Sequence, residues 1–256
     1  MCNWSPEGPA GDGGDQVREV ALYDPIAAIY DPWSRSVTED VGFYVDHALA
    51  SGGPVVELAV GTGRIAIRIA QAGVEVIGVD ASGEMLAVAE RAADDAGVGQ
   101  LVRLRVGDLA APPVSERVPL VICPFRSLLH MADEEAKLRA LRAARDLLEE
   151  DGAFVFDVFA PSSDDIAETN GRWLEREPGI YERADWDEDE RTLRLSVRSD
   201  SAQATFDLHW LSVPEWLRLL DVAGFEVEAL YGWFDRRPYE GDEDMIFVCR
   251  RRGKGS

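Results

Sequence analysis

The stretch Glu57-Leu58-Ala59-Val60-Gly61-Thr62-Gly63-Arg64 combines an acid, two closely spaced glycines and the start of a predicted helix. Gly61 and Gly63 allow a tight turn and let the backbone approach a ligand without side-chain interference. The N–H groups at the start of the helix are free to hydrogen-bond to that ligand. Asp80 ends the next predicted strand, where its carboxylate can accept hydrogen bonds from both hydroxyls of a ribose. The segment therefore predicts a binding site for a nucleoside-containing molecule at the carboxyl edge of a sheet.

Two kinds of cofactor are compatible with this pattern. The spacing Gly61-x-Gly63-x-x-Ala66 fits the loose dinucleotide fingerprint, which leaves a nicotinamide-dependent oxidoreductase open. Glu57 favours S-adenosylmethionine instead, because it can face the ammonium group of that molecule but would repel a pyrophosphate. Asp108 follows the third predicted strand and can accept a hydrogen bond from an adenine amino group. The chain also closes with a strand pair after Gly224 and not with a second mononucleotide-binding half.

The elements around these residues alternate between apolar runs and amphipathic stretches, which predicts an α/β, doubly wound, Rossmann-like sheet with helices on both faces. The predicted strands lie at 54–60, 74–80, 101–108, 118–124 and 153–159. The helices between them lie after the glycine turn to about residue 73, at 84–97 and at 133–152. With a strand pair at 225–234 and 245–251, we expect seven strands, mostly parallel, with the last one antiparallel.

The pattern changes after residue 160. Segments 180–186, 191–198 and 203–211 alternate apolar and polar residues, which predicts an antiparallel β insert with one solvated side. The predicted organisation is a disordered tail, a cofactor-binding α/β core with an N-terminal lid helix, the insert capping an acceptor site, a C-terminal helix and strand pair that complete the core, and a short tail. In this order, the tail covers residues 1–15, the core with its lid 16–160 and the insert 161–211. The C-terminal helix and strand pair cover 212–251, and the last tail covers 252–256.

The net charge of the chain disfavours some classes of binding partner. It has 256 residues, with 26 basic and 48 acidic side chains and a net charge of −22. Because phosphate binding depends on Lys and Arg, we expect no nucleic-acid partner, and an anionic membrane would repel this surface. No apolar run reaches the ~20 residues that span a bilayer. Three scattered cysteines and three scattered histidines predict a reduced, cytoplasmic protein without a metal site. Among the acids we assign only Glu57, Asp80 and Asp108 to the cofactor, and we expect most others in solvated turns, helices and tails.

At four motifs the sequence resembles the class I S-adenosylmethionine-dependent methyltransferases, and the resemblance covers roughly residues 20–251. ELAVGTGR is similar to the first family motif, with Ala59 where many members have Gly or Cys. VIGVDAS is similar to the second motif, GDL to the third and CPFRSLLHM (123–131) to the fourth. The fourth motif and the insert are, less specifically, similar to the sugar amino-group N-methyltransferases.

The resemblance implies a role for each matching position. The implied residues of the S-adenosylmethionine site are Tyr30, Glu57, Ala59, Gly61, Thr62, Gly63, Asp80, Ala81, Met85, Gly107, Asp108, Leu109, Pro124 and Phe125. Pro124 and Phe125 would flank the sulfonium, and Tyr30, on the lid, would close over the methyl group. His130 matches a position that faces the acceptor. Tyr30 and His130 are thus the implied catalytic residues.

The implied function is methyl transfer to a nitrogen or oxygen of a small-molecule acceptor by direct displacement, with S-adenosylhomocysteine as product, in a monomer or homodimer. A catalytically degenerate methyltransferase fold, which binds the cofactor in a structural or regulatory role, stays open, as does the NAD(P)-dependent oxidoreductase. A nucleic-acid methyltransferase is disfavoured by the charge. It is also disfavoured because residues 123–126 read Cys-Pro-Phe-Arg and not Asn/Asp-Pro-Pro-Tyr/Phe.

Overall fold

The computed structural model describes residues 21–241 and 244–253, so the tail predicted at 1–15 lies outside the described residues. The α-helices are α1 Ala27–Ser34, α2 Glu39–Ser51, α3 Arg64–Gln71, α4 Gly83–Asp95, α5 Glu134–Asp146, α6 Ser163–Thr169 and α7 Val213–Ala223. The strands are β1 Val55–Leu58, β2 Val76–Asp80, β3 Val102–Val106, β4 Val118–Cys123, β5 Leu148–Phe159, β6 Arg172–Glu177, β7 Ile180–Asp187, β8 Thr192–Arg198, β9 Gln203–His209, β10 Phe225–Tyr231 and β11 Asp244–Arg251. Short 3-10 helices cover Ala21–Ile26, Gly99–Leu101 and Ser127–His130.

The larger sheet has seven strands in the order β10-β11-β5-β4-β1-β2-β3. Strand β11 runs antiparallel to both of its neighbours, and the other pairings in this sheet are parallel. This arrangement confirms the predicted fold class. Strands β1 and β2 are buried along their whole length, as continuous apolar runs require when helices cover both faces of a sheet.

A second, antiparallel sheet follows β5, with strands in the order β6-β7-β8-β9. The alternating residues Leu193, Leu195 and Val197 are buried and belong to the same apolar core as one face of the larger sheet. On the opposite face, Arg194 pairs with Asp207 and Arg198 lies over the ring of Trp173. Strand β6 and helix α6 were not predicted, because their segments carry too few apolar residues to show a period.

The boundary between α5 and β5 differs from the prediction. The helix expected at 133–152 ends at Asp146, and β5 begins at Leu148 and not at residue 153. Leu148 fits the helical spacing of the preceding leucines, but it is buried as the parallel partner of Val118. The position satisfies both patterns, and its tertiary pairing decides between them.

The N-terminal segment from residue 21 through α2 lies across the end of the larger sheet. Phe43 and Tyr44 on α2 are buried in the core that covers one face of this sheet, and Ile26 belongs to the core on the opposite face. Of the helices described, none combines the length and the apolar character needed to cross a bilayer.

Candidate cofactor and acceptor site

Four predicted site segments follow four neighbouring parallel strands. Gly61 follows β1, Asp80 ends β2, Asp108 follows β3 and Phe125 follows β4. Because parallel strands end at the same edge of a sheet, the topology brings these residues together at the carboxyl edge. This is the place where open α/β sheets bind ligands.

The loop between β1 and α3 has a left-handed backbone at three positions. The φ angles of Ala59, Gly61 and Gly63 are 56°, 56° and 82°. A β-carbon on Gly61 would lie 3.5 Å from Cε of Met85, on the wall formed by α4. The loop thus presents bare backbone beside Met85, which is the surface that a closely approaching ligand requires.

Asp80 holds this loop against the next one. Its carboxylate accepts hydrogen bonds from the N–H groups of Gly61 and Ser82, at 2.8 and 2.9 Å. Burial raises the pKa of Asp80 above its ordinary value, although these backbone hydrogen bonds oppose the rise. Each oxygen keeps a second lone pair, so the residue can still accept from ribose hydroxyls. Ala81, beside it, is half-buried.

Glu57 is a buried acid with an unused acceptor. Only 2% of the residue is exposed, and its Oε2 has no hydrogen-bond partner among the described residues. Burial raises the pKa of Glu57 well above its usual range, and the charges of Asp40 and Asp80 add to the effect of burial. An orphaned carboxylate oxygen is costly unless a ligand satisfies it. The ammonium group of S-adenosylmethionine is a donor of the right charge, so the residues present fit this cofactor.

The segment after β3 is tightly packed. A β-carbon on Gly107 would lie 2.2 Å from Cδ of Pro113, so the chain can pass here only as glycine. Asp108 accepts a hydrogen bond from the N–H of Ala110 at 2.7 Å, which closes the turn. Leu109 is buried and presents an apolar surface next to it.

Three aspartates in the N-terminal segment bind side chains of the cofactor loops. Asp24 accepts from the hydroxyl of Ser82. Asp31 accepts from the hydroxyl of Thr62 at 2.5 Å. Asp40 forms two hydrogen bonds with Arg64, the first residue of α3. These contacts fasten the segment from residue 21 through α2, which we call the lid, to the loops after β1 and β2. The sequence predicted no partner for these three acids, of which Asp40 is buried.

Aromatic rings fill the space between the lid, the loop after β4 and the insert. The centroids of Tyr23 and Tyr30 are 5.8 Å apart, and those of Tyr30 and Trp33 are 5.7 Å apart. The ring centroid of Phe206, on the inner face of the insert, lies 4.7 Å from that of Tyr23 and 6.3 Å from that of Trp33. Tyr30 also packs against Phe125, with their ring centroids 6.4 Å apart. The structure therefore brings the lid tyrosine and the fourth motif together, as the resemblance implies.

His130 lies at the border of this aromatic cluster. Its Nε2 is 3.1 Å from the hydroxyl oxygen of Tyr23, and its ring packs against Phe206. Burial lowers the pKa of His130 to about 4, and the charges of His209 and Lys137 act in the same direction. The imidazole is therefore neutral at pH 7.

Sequence reasoning missed another buried acid, Asp157, on β5. Its carboxylate accepts from the hydroxyl of Tyr44 and from the N–H groups of Phe125 and Arg126. The signal was available, because Asp157 interrupts the apolar run 153–159 just as Glu57 interrupts the run of β1. Pro124, which precedes this loop, is buried. The described residues contain no group of three or more His, Cys, Asp or Glu side chains arranged to hold a metal ion.

Comparison with known proteins gives a match to a family model over part of the chain. Residues 55–152 match the family model described as a methyltransferase domain. YqeM of Bacillus subtilis (strain 168), provisionally named a methyltransferase, is 27% identical over 151 residues, which cover 58% of this chain and 56% of that protein. The match thus spans little more than half the length of YqeM.

Solved structures extend the similarity over the whole fold. The CcbJ methyltransferase from Streptomyces caelestis is 29% identical, with a TM-score of 0.79 over 92% of this chain and 99% of that one. The sugar N-methyltransferase KedS8 from Streptoalloteichus sp ATCC 53650 shares the fold at 19% identity, with a TM-score of 0.65 over 98% and 99% of the two chains.

The seven-stranded sheet and the glycine-rich loop at its carboxyl edge define a class I methyltransferase fold. The domain matched at residues 55–152 and the similarity to CcbJ both support an S-adenosylmethionine-dependent methyltransferase.

Proposed function

We propose that this protein transfers a methyl group from S-adenosylmethionine to a nitrogen or oxygen of a small-molecule acceptor. The observation that carries the proposal is the aromatic cluster of Tyr23, Tyr30, Trp33 and Phe206, which covers the carboxyl edge beside Phe125. It joins the lid to the insert, and Trp33 also donates a hydrogen bond to Glu182 of β7 at 2.9 Å. A site enclosed from two sides suits a small acceptor better than a macromolecule.

The cofactor residues form four groups, at the ends of strands β1, β2, β3 and β4. Glu57 faces the ammonium group, and Ala59, Gly61, Thr62 and Gly63 surround the methionyl part. Asp80 binds the ribose hydroxyls, with Ala81 and Met85 close to the adenine. Asp108, with Gly107 and Leu109, holds the adenine ring, and Pro124 and Phe125 flank the sulfur. When bound, S-adenosylmethionine supplies an electrophilic methyl group that the acceptor takes by direct displacement, which leaves S-adenosylhomocysteine.

Charge separates this proposal from the oxidoreductase alternative. Glu57 is a buried acid in β1, just before the glycine-rich loop, and the cation that follows this loop, Arg64, is already paired with Asp40. S-adenosylmethionine carries a net positive charge at neutral pH, whereas a dinucleotide carries a pyrophosphate. Glu57 therefore favours the former and repels the latter, whereas Asp80 fits the ribose of either cofactor.

On the acceptor side, Tyr30 closes over the transferred methyl group and His130 faces the acceptor. His130 is neutral at pH 7, so it is suited to hydrogen bonding with the acceptor. It is a weak base, because its pKa of about 4 lies far from the operating pH. Positioning and exclusion of water are then the main contributions of the protein. An uncharged amine needs no base for the attack itself, so we favour an amine acceptor. The similarity to the sugar N-methyltransferase KedS8 makes amino sugars the first acceptors to test.

Two measurements test the proposal. Titration calorimetry with S-adenosylmethionine, S-adenosylhomocysteine and NADH should show binding of the first two ligands and not of the third. A panel of amino sugars, simple amines and phenols, assayed by release of S-adenosylhomocysteine, should then identify the acceptor class. Failure to bind either adenosyl ligand would refute the proposal. Binding without turnover of any acceptor would favour the degenerate, non-catalytic alternative.

A further inference from the structure

Asp157 is a buried carboxylate on which three hydrogen-bond donors converge. Only 4% of the residue is exposed. Its Oδ1 accepts from the Tyr44 hydroxyl at 2.5 Å and from the Phe125 N–H at 2.8 Å, and its Oδ2 accepts from the Arg126 N–H at 3.0 Å. Tyr44 lies on α2, within the lid, and is itself fully buried. One side chain on β5 thus joins the lid helix to the loop after β4.

The loop that Asp157 holds has an unfavourable backbone. Phe125 and Arg126 have φ angles of 60° and 62°, so two consecutive non-glycine residues are left-handed. Each such residue costs roughly 1–2 kcal/mol, and the conformation persists only when the surroundings fix it. The paired N–H groups bound by one carboxylate supply that restraint. The side chain of Arg126 adds to it by pairing with Asp244 at 2.8 Å and lying over the ring of Phe159.

The conformation of this loop decides where the ring of Phe125 lies. The ring packs against Tyr30 of the lid, and the guanidinium carbon of Arg64 is 5.1 Å from its centroid. An ordinary right-handed or extended backbone at residues 125 and 126 would turn the ring away from both contacts. Asp157 therefore controls the position of Phe125, although it lies behind the loop.

We propose that Asp157 is a positioning residue for methyl transfer, which fixes the 125–126 loop so that Phe125 stands beside the sulfonium of the cofactor. The role rests on the proposed place of Phe125 in the cofactor site. Asp157 does not itself act on the reacting groups, because it is almost fully buried behind the loop and its carboxylate accepts three hydrogen bonds from protein donors. Tyr44 supports it by orienting the carboxylate.

The test compares two ligands that differ only at the sulfur. S-adenosylmethionine carries the methyl group and positive charge beside Phe125, and S-adenosylhomocysteine lacks both. In Asp157→Asn the amide NH₂ group faces a donor N–H, so the loop loses its restraint. Asp157→Glu keeps the charge but moves the carboxylate by one methylene group. Calorimetry should show at least a tenfold loss of affinity for S-adenosylmethionine in both variants, and less than a threefold loss for S-adenosylhomocysteine.

A second readout needs no ligand. Hydrogen exchange of the Phe125 and Arg126 amides should be at least tenfold faster in both variants than in the wild type. Phe225→Leu is the control for a general loss of stability. Phe225 is a core residue that pairs with the end of β11, whereas Asp157 pairs near the start of that strand. Phe225→Leu should lower the melting temperature without changing the ratio of the two affinities or the exchange of these amides.

Several results would overturn the role. If the Asp157 variants lose affinity equally for both ligands, in proportion to the fall in melting temperature as in Phe225→Leu, Asp157 has only a structural role. If Asp157→Glu keeps the wild-type ratio of the two affinities and Asp157→Asn does not, the charge of residue 157, and not the position of the loop, determines the preference for S-adenosylmethionine. Unchanged discrimination in both variants would refute the inference and leave the proposed function intact. A wild-type protein that binds neither ligand would refute the proposed function and this role with it.

Discussion

Arg64 and Asp40 form a two-point ion pair between the first turn of α3 and the first turn of α2. The two terminal nitrogens of Arg64 donate to the two carboxylate oxygens of Asp40, at 2.7 and 2.6 Å. Asp40 is 1% exposed and the Arg64 side chain 20%. Burial opposes the charge of Arg64, but the hydrogen bonds and charge of Asp40 outweigh it and raise the pKa of Arg64 above its ordinary value. The pair fixes the lid to the helix that follows the glycine-rich loop.

Replacing Asp40 with Asn should destabilise the protein strongly. The substitution leaves the largely buried Arg64 guanidinium without its paired carboxylate, and breaking one side of a buried pair costs about 3 kcal/mol. The free energy of unfolding in urea should fall by about that amount, and the affinity for S-adenosylmethionine should fall with it, because the lid is loosened.

The matched control lies on the same helix. Asp46 pairs with Arg236 at 2.9 Å, but both side chains are about half exposed. Exposed pairs contribute at most about 1 kcal/mol, so Asp46→Asn should change the free energy of unfolding by less than that and leave cofactor affinity unchanged. Equal effects of the two substitutions would contradict the structural role given to the Arg64–Asp40 pair.

Much of the candidate site could be predicted because it depends on strand order alone. Gly61, Asp80, Asp108 and Phe125 each follow a recognisable apolar run. The ends of parallel strands meet at one edge, whatever the details of packing. Local sequence is sufficient for such residues. The same logic predicted the antiparallel last strand and the insert, whose alternating pattern is visible in β8 and β9.

The lid contacts could not be predicted in this way. Asp24, Asp31 and Asp40 have partners 58, 31 and 24 residues away, and these partners become neighbours only when the lid folds over the sheet. An acid on an amphipathic or irregular segment has the same local pattern whether it is solvated or paired. Asp157 is different, because an acid inside an apolar strand already signals a buried partner. The net charge alone therefore does not show which acids are paired.

Glu57→Gln should change stability and binding in opposite directions. The pKa of Glu57 is raised above its ordinary value of 4.5, so the folded state binds a proton more tightly than the unfolded state. Stability is then lost as the pH rises from about 4.5 through the raised pKa. Gln removes this penalty, so the ligand-free variant should melt at a higher temperature than the wild type at pH 8. Differential scanning calorimetry measures this.

The same variant should bind the cofactor poorly. Gln cannot balance the ammonium charge, so the affinities for S-adenosylmethionine and S-adenosylhomocysteine, which share that group, should both fall at least tenfold in titration calorimetry. Asp46→Asn again serves as the control. A variant that loses stability at pH 8 while keeping its affinity would mean that Glu57 has a structural partner and no part in binding.

His130→Asn should remove a pH dependence of stability. The pKa of His130 is lowered from 6.5 to about 4, so between these values the unfolded state binds more protons than the folded state. The contribution of His130 to stability is complete above about pH 6.5 and is lost as the pH falls towards 4. The difference in unfolding free energy between wild type and variant should therefore shrink by up to ~3 kcal/mol on acidification.

Catalysis should not follow this ionisation. Because His130 is already neutral at pH 7, the profile of kcat/KM between pH 6 and 9 should keep its shape in His130→Asn, even where the rate falls through loss of the Tyr23 hydrogen bond. A kinetic pKa between 6 and 8 that disappears in the variant would instead make His130 a general base.

Gly63→Ala should be more harmful than Gly73→Ala, although both positions are left-handed. The φ angles are 82° and 90°, so a β-carbon brings roughly the same backbone strain of about 1 kcal/mol to each. At Gly73 the new methyl group meets nothing within 4 Å. At Gly63 it would lie 3.3 Å from Cβ of Ala89 and 3.3 Å from Cδ1 of Ile67, so α3 and α4 must separate slightly. That adds at least about 1 kcal/mol of overpacking to the strain.

The two variants should therefore differ in binding as well as in stability. Moving α4 displaces Met85 and the end of the glycine-rich loop, so Gly63→Ala should weaken S-adenosylmethionine binding at least tenfold while Gly73→Ala leaves it unchanged. Urea unfolding should give losses of about 2 and about 1 kcal/mol, respectively. Equal affinities in the two variants would show that the cofactor does not depend on the contact between the glycine-rich loop and α4, and the backbone cradle would then have to be sought elsewhere on this edge of the sheet.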